Sequence, residues 1–364
     1  MKIVVFGLTV SSSWGNGHAT LWRGLIRALA ARGHRVVFFE RDAAYYAENR
    51  DLRELPGRSE LVLYPDWEAA RGRAAEEVGE ADVAMVTSYC PDGLAASDAV
   101  LAAGRALRVF YDLDTPVTLS RMARGEATGY IGPDGLGGFD LVLSYTGGGA
   151  LEELTRRLGA RRVAPLYGHV DPATHRPAEK LERFRADLSY LGTYAADRQA
   201  ALERLFVEPA RLRPERRFLI GGAQYPQDFP WTQNIFFVRH LPPDEHPAFF
   251  SSGRLTLNVT REAMAAMGWC PSGRLFEAAA CGVPILSDTW EGLDAFFVPG
   301  SEILTAETTA DALAAIDLPD AELGRIAKAA RERTLAEHTS ERRAIEFERL
   351  VAEARRSEPL LVEA

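Results

Sequence analysis

Short apolar runs recur along the chain. Each is followed by a polar stretch, often glycine-containing, and several then by a segment with apolar residues three or four apart. Residues 2–6 (KIVVF) form the first run and residues 7–17 the loop after it. Residues 18–32 then place Leu21, Leu25, Ile26 and Leu29 at helical spacing before Gly33, and residues 35–39 form a second run ending at Glu40. An uninterrupted apolar run suits a parallel strand covered on both faces, so the opening predicts a βαβ unit. Further strands are predicted at residues 61–64, 83–86, 108–111 and 141–143, and a helix at 150–158. Residues 164–177 (APLYGHVDPATHRP) are proline-rich and aperiodic, the signature of a linker. The pattern then restarts, with strands at 189–191, 217–220, 235–238, 255–258 and 283–286 and helices at 197–206 and 246–250. Residues 320–356 read as a long helical tail with apolar positions at Ile326, Ala329, Leu335, Ile345, Phe347 and Leu350, and the remainder to Ala364 as a frayed end. The alternation predicts an α/β protein with mostly parallel sheets in two domains, residues 1–170 and 171–339.

Composition narrows the class. At 364 residues the chain is long enough for two domains, and 47% hydrophobic with 26% charged residues is ordinary for a globular protein. A net charge of -9 supplies no basic surface for nucleic acid, although a helix N-terminus and a few arginines suffice locally for an anionic small molecule. Cys90, Cys270 and Cys281 are far apart and form no CxxC. That pattern argues against a disulfide framework or a cysteine zinc site and predicts a reducing, cytoplasmic setting. The N-terminus has no long apolar signal core, and there is no run of about 18 apolar residues, so no integral membrane segment is expected. The first loop is not GxGxxG, so no dinucleotide cofactor is expected.

Polar residues cluster where strands are predicted to end, the place where open α/β sheets bind ligands. Ser272 and Gly273 precede a helical run whose first N–H groups are free to meet an anion. Arg274 lies three residues before Glu277; it either bonds a diphosphate, the preferred reading, or pairs with a carboxylate. Gly282-Val283-Pro284 stops this helix, and Asp288 and Glu291 follow the next strand as candidates to touch a sugar. Asp112 and Asp114, two apart in DLDTP, either hold acceptor hydroxyls, the preferred role, cap the next helix, or bind a divalent ion. Gly148, in a run of three glycines before a helix, permits close approach of a ligand or forms a tight turn. Gly221-Gly222 closes a strand where a base or ribose can lie flat. Arg261 follows another strand end as a phosphate or sugar ligand or as a surface arginine. His18 is suited to act as a base near neutral pH, or to cap or pack its helix.

Residues 277–292, EAAACGVPILSDTWEG, resemble the C-terminal nucleotide-sugar signature of glycosyltransferases with the GT-B fold, most closely the bacterial CgeB-like group and retaining enzymes. The resemblance extends less specifically over most of the chain. It implies two facing Rossmann-like domains with a cleft between them and a last helix, about residues 340–357, that packs back on the first domain. By the same resemblance Glu277 holds the ribose of the donor, and Arg198 is the best candidate for the phosphate-gripping residue after the first strand of the second domain. Many retaining relatives carry a second Glu eight residues before the first. Trp269 stands there in this chain, so the pair is broken, the usual sugar-ring contact is not made by a Glu, and Trp269 is itself a sugar or acceptor candidate. The WGNGH stretch resembles the first loop of these enzymes, which makes Asn16 and Gly17 acceptor or sugar candidates and places His18 where inverting relatives keep a base. The expected activity is transfer of a sugar from a nucleotide diphosphate donor (UDP, dTDP or GDP type) to a small-molecule or glycan acceptor, with retention and without metal. A nucleotide-sugar epimerase and a non-catalytic sugar-nucleotide or carbohydrate-binding relative are the alternatives.

Overall fold

The apolar runs of the first half become seven parallel strands: β1 (Lys2–Gly7), β2 (Arg35–Arg41), β3 (Glu60–Tyr64), β4 (Val83–Thr87), β5 (Leu107–Asp112), β6 (Leu141–Ser144) and β7 (Val163–Pro165). They lie in the order β3-β2-β1-β4-β5-β6-β7. In this computed structural model, which describes residues 1–356, the chain divides into two units. The first comprises Met1–Tyr167 and the segment from Ser340 onward; the second is Gly168–Thr339. The expected fraying of the last residues falls outside the described part.

β1 is central because all its residues after Lys2 are buried, as a strand sandwiched between helices requires. The helix Gly17–Ala31 covers one face through Leu21, Trp22, Leu25, Ile26 and Leu29. The C-terminal helix Ser340–Arg356 joins the same core with Ala344, Phe347, Leu350, Val351 and Ala354. Its Glu348 accepts from Arg32 at 2.6 Å and from His34 at 2.6 Å. The hydrogen bond from Arg32 holds that carboxyl down to about 2.

The second unit carries six parallel strands: β8 (Leu188–Leu191), β9 (Phe218–Gly222), β10 (Ile235–Arg239), β11 (Thr256–Asn258), β12 (Ile285–Ser287) and β13 (Leu304–Thr305), in the order β10-β9-β8-β11-β12-β13. Its core gathers Leu188, Tyr190, Phe206, Phe218, Ile220, Leu257 and Leu286 from both sides of the sheet. Both sheets therefore reverse direction of growth once, between β1 and β4 and between β8 and β11. Such switch points open a crevice beyond the carboxyl ends of the strands.

Several elements differ from the sequence reading. The stretch at 164–177 is not all linker, since Val163–Pro165 forms β7 on the edge of the first sheet, where proline costs no central ladder bond. The helix expected at 197–206 is instead a tight turn (Ala196–Arg198), a short helix (Gln199–Leu202), a π-helical turn (Glu203–Val207) and a further helical turn (Glu208–Leu212). Pro209 brings no N–H to the ladder, and the widened turn directly precedes it. The strand expected at 283–286 is shifted to Ile285–Ser287 because Pro284 cannot donate. The tail is two helices, Asp320–Glu337 and Ser340–Arg356. Between them Val170 N–H donates to His338 O at 2.9 Å and Val170 pairs with Thr339, so the chain's two passages there are tied together. Among the described residues no helix is long and apolar enough to cross a membrane.

Candidate active site

In the first unit the loop after β1 is held from beneath by a buried carboxylate. Glu40, at the end of β2, accepts from Thr9 Oγ1 at 2.7 Å, from the N–H groups of Val10 and Ser11 at 2.8 and 2.9 Å, and from the Ser11 hydroxyl. Asn16 caps the helix Gly17–Ala31: its side-chain oxygen accepts from His18 N–H at 3.1 Å and its amide donates to Thr9 O at 3.2 Å. Asn16 is thus largely committed to building the loop, and Gly17 is the first residue of the helix.

This scaffold presents His18 to the end of β5. Its Nε2 stands 3.9 Å from Asp114 Oδ2. Tyr89, just beyond β4, donates its phenol to the same oxygen at 2.9 Å. Tyr89 adopts a left-handed backbone (φ 65°), a strained conformation for an aromatic residue. Its ring lies 5.9 Å from His18 and 5.6 Å from Tyr130. Burial and the Asp114 charge push the Tyr89 hydroxyl far up, so it stays a donor. Asp112 lies deeper. Its Oδ1 accepts from Asp114 N–H and from Thr118 Oγ1, each at 3.1 Å, whereas Oδ2 is buried without a hydrogen-bond partner. Burial pushes the Asp112 carboxyl up to about 6. His18, Asp112 and Asp114 are therefore brought together at the β1/β4 switch point, His18 from the segment after β1 and the two aspartates from the end of β5. Gly148 (φ 53°) stands further along the same edge, after β6 and at the cap of the helix Gly149–Leu158.

The second unit gathers the basic candidates at its own switch point. Arg274 donates through Nη1 to Glu277 Oε2 at 2.5 Å and through Nε to Leu191 O, the last residue of β8, at 3.3 Å. Glu277 is only 5% exposed. Burial alone raises its carboxyl, but the Arg274 charge outweighs this and brings it down to about 2. Of the two readings of Arg274, the carboxylate pair is formed: its guanidinium bonds Glu277. Ser272 caps the helix Gly273–Ala280, its hydroxyl accepting from Arg274 N–H at 3.3 Å. One of the free N–H groups there is thus already satisfied. Arg261, after β11, donates to Asp197 at 2.9 Å, and Arg198 donates to Thr193 O at 3.3 Å while its Nε is buried without a partner.

Three candidates turn out to build the scaffold. Asp288 accepts from Thr260 N–H at 3.0 Å and from Thr260 Oγ1 at 3.0 Å, which locks the ends of β11 and β12 together; burial raises its carboxyl. Trp269 (φ 48°) donates its N–H to Glu291 O at 2.6 Å, and its ring covers Gly292, where a Cβ would lie 2.5 Å away. Glu291 itself is exposed. Gly222 is required by backbone: a Cβ there would meet Gly192 O at 2.0 Å. Tyr89, His175 and His246 escaped the sequence reading. The last two pack beside Glu277 from loop and helix positions far away in the chain, and no local pattern announces that.

A broad depression of about 970 Å³ lies at the opposite, amino-terminal edge of the second sheet, lined among others by Arg185, Arg217, Ser252, Arg254 and Gly282; it includes none of these candidates.

With the geometry in view, comparison with known proteins shows what the chain is similar to. Residues 198–349 match the family described as glycosyl transferase-like. No curated protein matches the chain. Among solved structures, sucrose-phosphate synthase from Thermosynechococcus elongatus is similar at 14% identity with a TM-score of 0.70, over 98% of this chain and 100% of that one. A glycosyltransferase from Rickettsia africae is similar at 11% identity and TM-score 0.64 over 98% and 99%. Anabaena HepE in complex with UDP-glucose is similar at 13% identity and TM-score 0.65 over 98% and 100%. The fold is GT-B. Residues 198–349 add to that fold a match to the glycosyl transferase-like family.

Proposed function

We propose that the protein transfers a sugar from a nucleotide diphosphate donor held by the second unit to an acceptor held by the first. The observation that carries this reading is the Arg274–Glu277 pair, which stands at the β8/β11 switch point and whose Glu277 opens the segment that resembles the nucleotide-sugar signature. Glu277, kept ionised by Arg274, accepts from the ribose hydroxyls. Arg198, Arg261 and the start of the helix Gly273–Ala280 face the diphosphate. Charge builds on that leaving group as the glycosidic bond breaks, and fixed donors stabilise it most in the transition state. These cationic groups fill the role that a metal takes in other transferases, so transfer proceeds without one. The similarity to HepE solved with UDP-glucose favours a UDP-type donor.

Retention of configuration follows from the resemblance of residues 277–292 to retaining enzymes. One observation favours inversion instead: His18 has a carboxylate partner at 3.9 Å, the arrangement a general base needs to take a proton from an acceptor hydroxyl. Proton NMR of the anomeric signal in the first product formed decides between them.

The donor assignment is tested by thermal shift with UDP, dTDP, GDP and ADP, each with and without magnesium, on the wild type and on Glu277→Ala. One diphosphate is expected to stabilise the wild type, by about 2.7 kcal/mol at a hundredfold excess over its Kd, and to stabilise the variant less. Failure of all four to shift the melting point would overturn the donor reading.

A further inference from the structure

His175, His246 and Glu277 converge inside the second unit from three separate elements. His175 closes the turn after Asp171, where its N–H donates to Asp171 O at 2.9 Å. His246 begins the helix His246–Ser252, and Glu277 lies on the helix Gly273–Ala280. One ligand atom from each lies within 4.8 Å of the other two. All three residues are buried, at 1%, 5% and 5% exposure.

Buried polar atoms are ordinarily paired, and each exception calls for an explanation. Neither ring nitrogen of His175 makes a hydrogen bond, although the side chain is enclosed. His246 is oriented differently. Its Nε2 is 3.2 Å from Leu241 O, so this nitrogen carries the proton and Nδ1 is left as a buried lone pair without a partner. A backbone carbonyl on the distal nitrogen is the usual way a metal-binding imidazole is oriented. Glu277 is split in the same sense. Its Oε2 takes the Arg274 hydrogen bond at 2.5 Å, and its Oε1 is the atom that faces His175 Nε2 at 3.9 Å. Three orphaned or weakly engaged groups thus lie within 4.8 Å of one another, and two of them, His246 and Glu277, are each steadied by a neighbour.

We infer that His175, His246 and Glu277 bind a divalent cation of the zinc class, through the two imidazoles and Oε1 of the carboxylate. Two histidines and a glutamate form a known zinc donor set that leaves a fourth position open, and imidazole nitrogen selects such ions over magnesium and calcium. Ligand atoms on a tetrahedral zinc stand about 3.3 Å apart, given bonds of about 2.0 Å. The cluster therefore closes by at most about 1.5 Å on loading, from separations within 4.8 Å. The inference goes beyond the donor reading and bears on it: zinc on Oε1 draws Glu277 away from the ribose, so zinc opposes donor binding.

Chelator-treated wild-type protein is titrated with zinc chloride by calorimetry and with cobalt(II) by visible absorption. The same titrations are made on His175→Gln and Glu277→Gln, with His34→Gln as a control for a histidine outside the cluster and metal-free melting as a check on folding. Saturation at one zinc per chain, an intense low-symmetry cobalt spectrum, and affinity weakened about tenfold or more in the two site variants but kept in His34→Gln support the site. No saturable zinc binding in the wild type, a cobalt spectrum like that of the hydrated ion, or equal affinity in all variants would overturn it. The cobalt measurement needs no variant and stands even if a substitution unfolds the chain. UDP titrated into the zinc-loaded protein separates the two readings: weakened UDP binding supports both, and unchanged UDP binding beside a saturated zinc site supports the metal and counts against Glu277 on the ribose.

Discussion

Asp114 Oδ2 is shared by two neighbours from different strand ends: the Tyr89 phenol donates to it at 2.9 Å and His18 Nε2 stands 3.9 Å away. The carboxylate is thereby placed to orient the imidazole and to stabilise it once it carries a proton. If His18 takes the acceptor proton, His18→Ala lowers kcat by about a hundredfold or more, since general bases contribute roughly 10²–10⁴ in rate. Donor binding in the second unit stays as it was. Asp114→Asn lowers kcat by a smaller factor. Initial rates at saturating donor, paired with nucleotide titrations, separate the effects; a His18→Ala rate within about twofold of wild type removes His18 from the chemistry.

The buried carboxyl of Asp112 makes a prediction about pH. Its folded value, about 6, lies above its ordinary 3.8. Between those values the folded state binds more protons than the unfolded one, so this contribution is full below about 3.8 and is lost as pH rises through 6. The loss is on the order of 2–3 kcal/mol by pH 7, at 1.36 kcal/mol per unit. Asp112→Asn cannot ionise. Denaturant unfolding at pH 4.5 and pH 7.5 is expected to show the variant gaining relative to wild type at the higher pH. An identical pH dependence in both proteins would show that Asp112 stays unshifted.

If Arg261 grips the diphosphate, it distinguishes the phosphate from the nucleoside. Replacing it with Ala is expected to weaken binding of the nucleoside diphosphate by roughly ten- to a hundredfold, the worth of a charge-assisted hydrogen bond of about 1.5–3 kcal/mol, and to leave the corresponding nucleoside unaffected. Calorimetry with both ligands gives the comparison. Equal losses for the two would place Arg261 away from the phosphates, in a purely structural pair with Asp197.

The helix Ser340–Arg356 belongs to the core of the first unit, so the C-terminus stabilises the N-terminal fold. Phe347 is 1% exposed within the cluster that holds Leu25, Ile26 and Leu29. Phe347→Ala is expected to cost about 3–5 kcal/mol, as large-to-small changes in packed cores do. Chemical denaturation measures it. A cost below about 1 kcal/mol would mean the helix is a dispensable cover.

The sequence by itself determined what depends on neighbours in the chain. Apolar runs of four to six residues between polar turns are too short for helices and suit covered parallel strands, so the α/β class and most strands were legible. EAAACGVP in residues 277–284 carried the family resemblance, and the i,i+3 spacing placed Arg274 and Glu277 on one helix face. The tertiary structure decided what depends on pairing between distant segments. Strand order put β1 beside β4 and β8 beside β11, and with it brought Tyr89 to Asp114 over 25 residues and His175 to Glu277 over about a hundred. It also showed that Asn16 and Asp288 spend their polar atoms on the scaffold, because a side chain's hydrogen-bond partner is set by where the backbone folds around it. A partner that distant leaves no periodicity in the chain, and burial depth, which raised Asp112 and left His175 unpaired, is a property of the packed core alone.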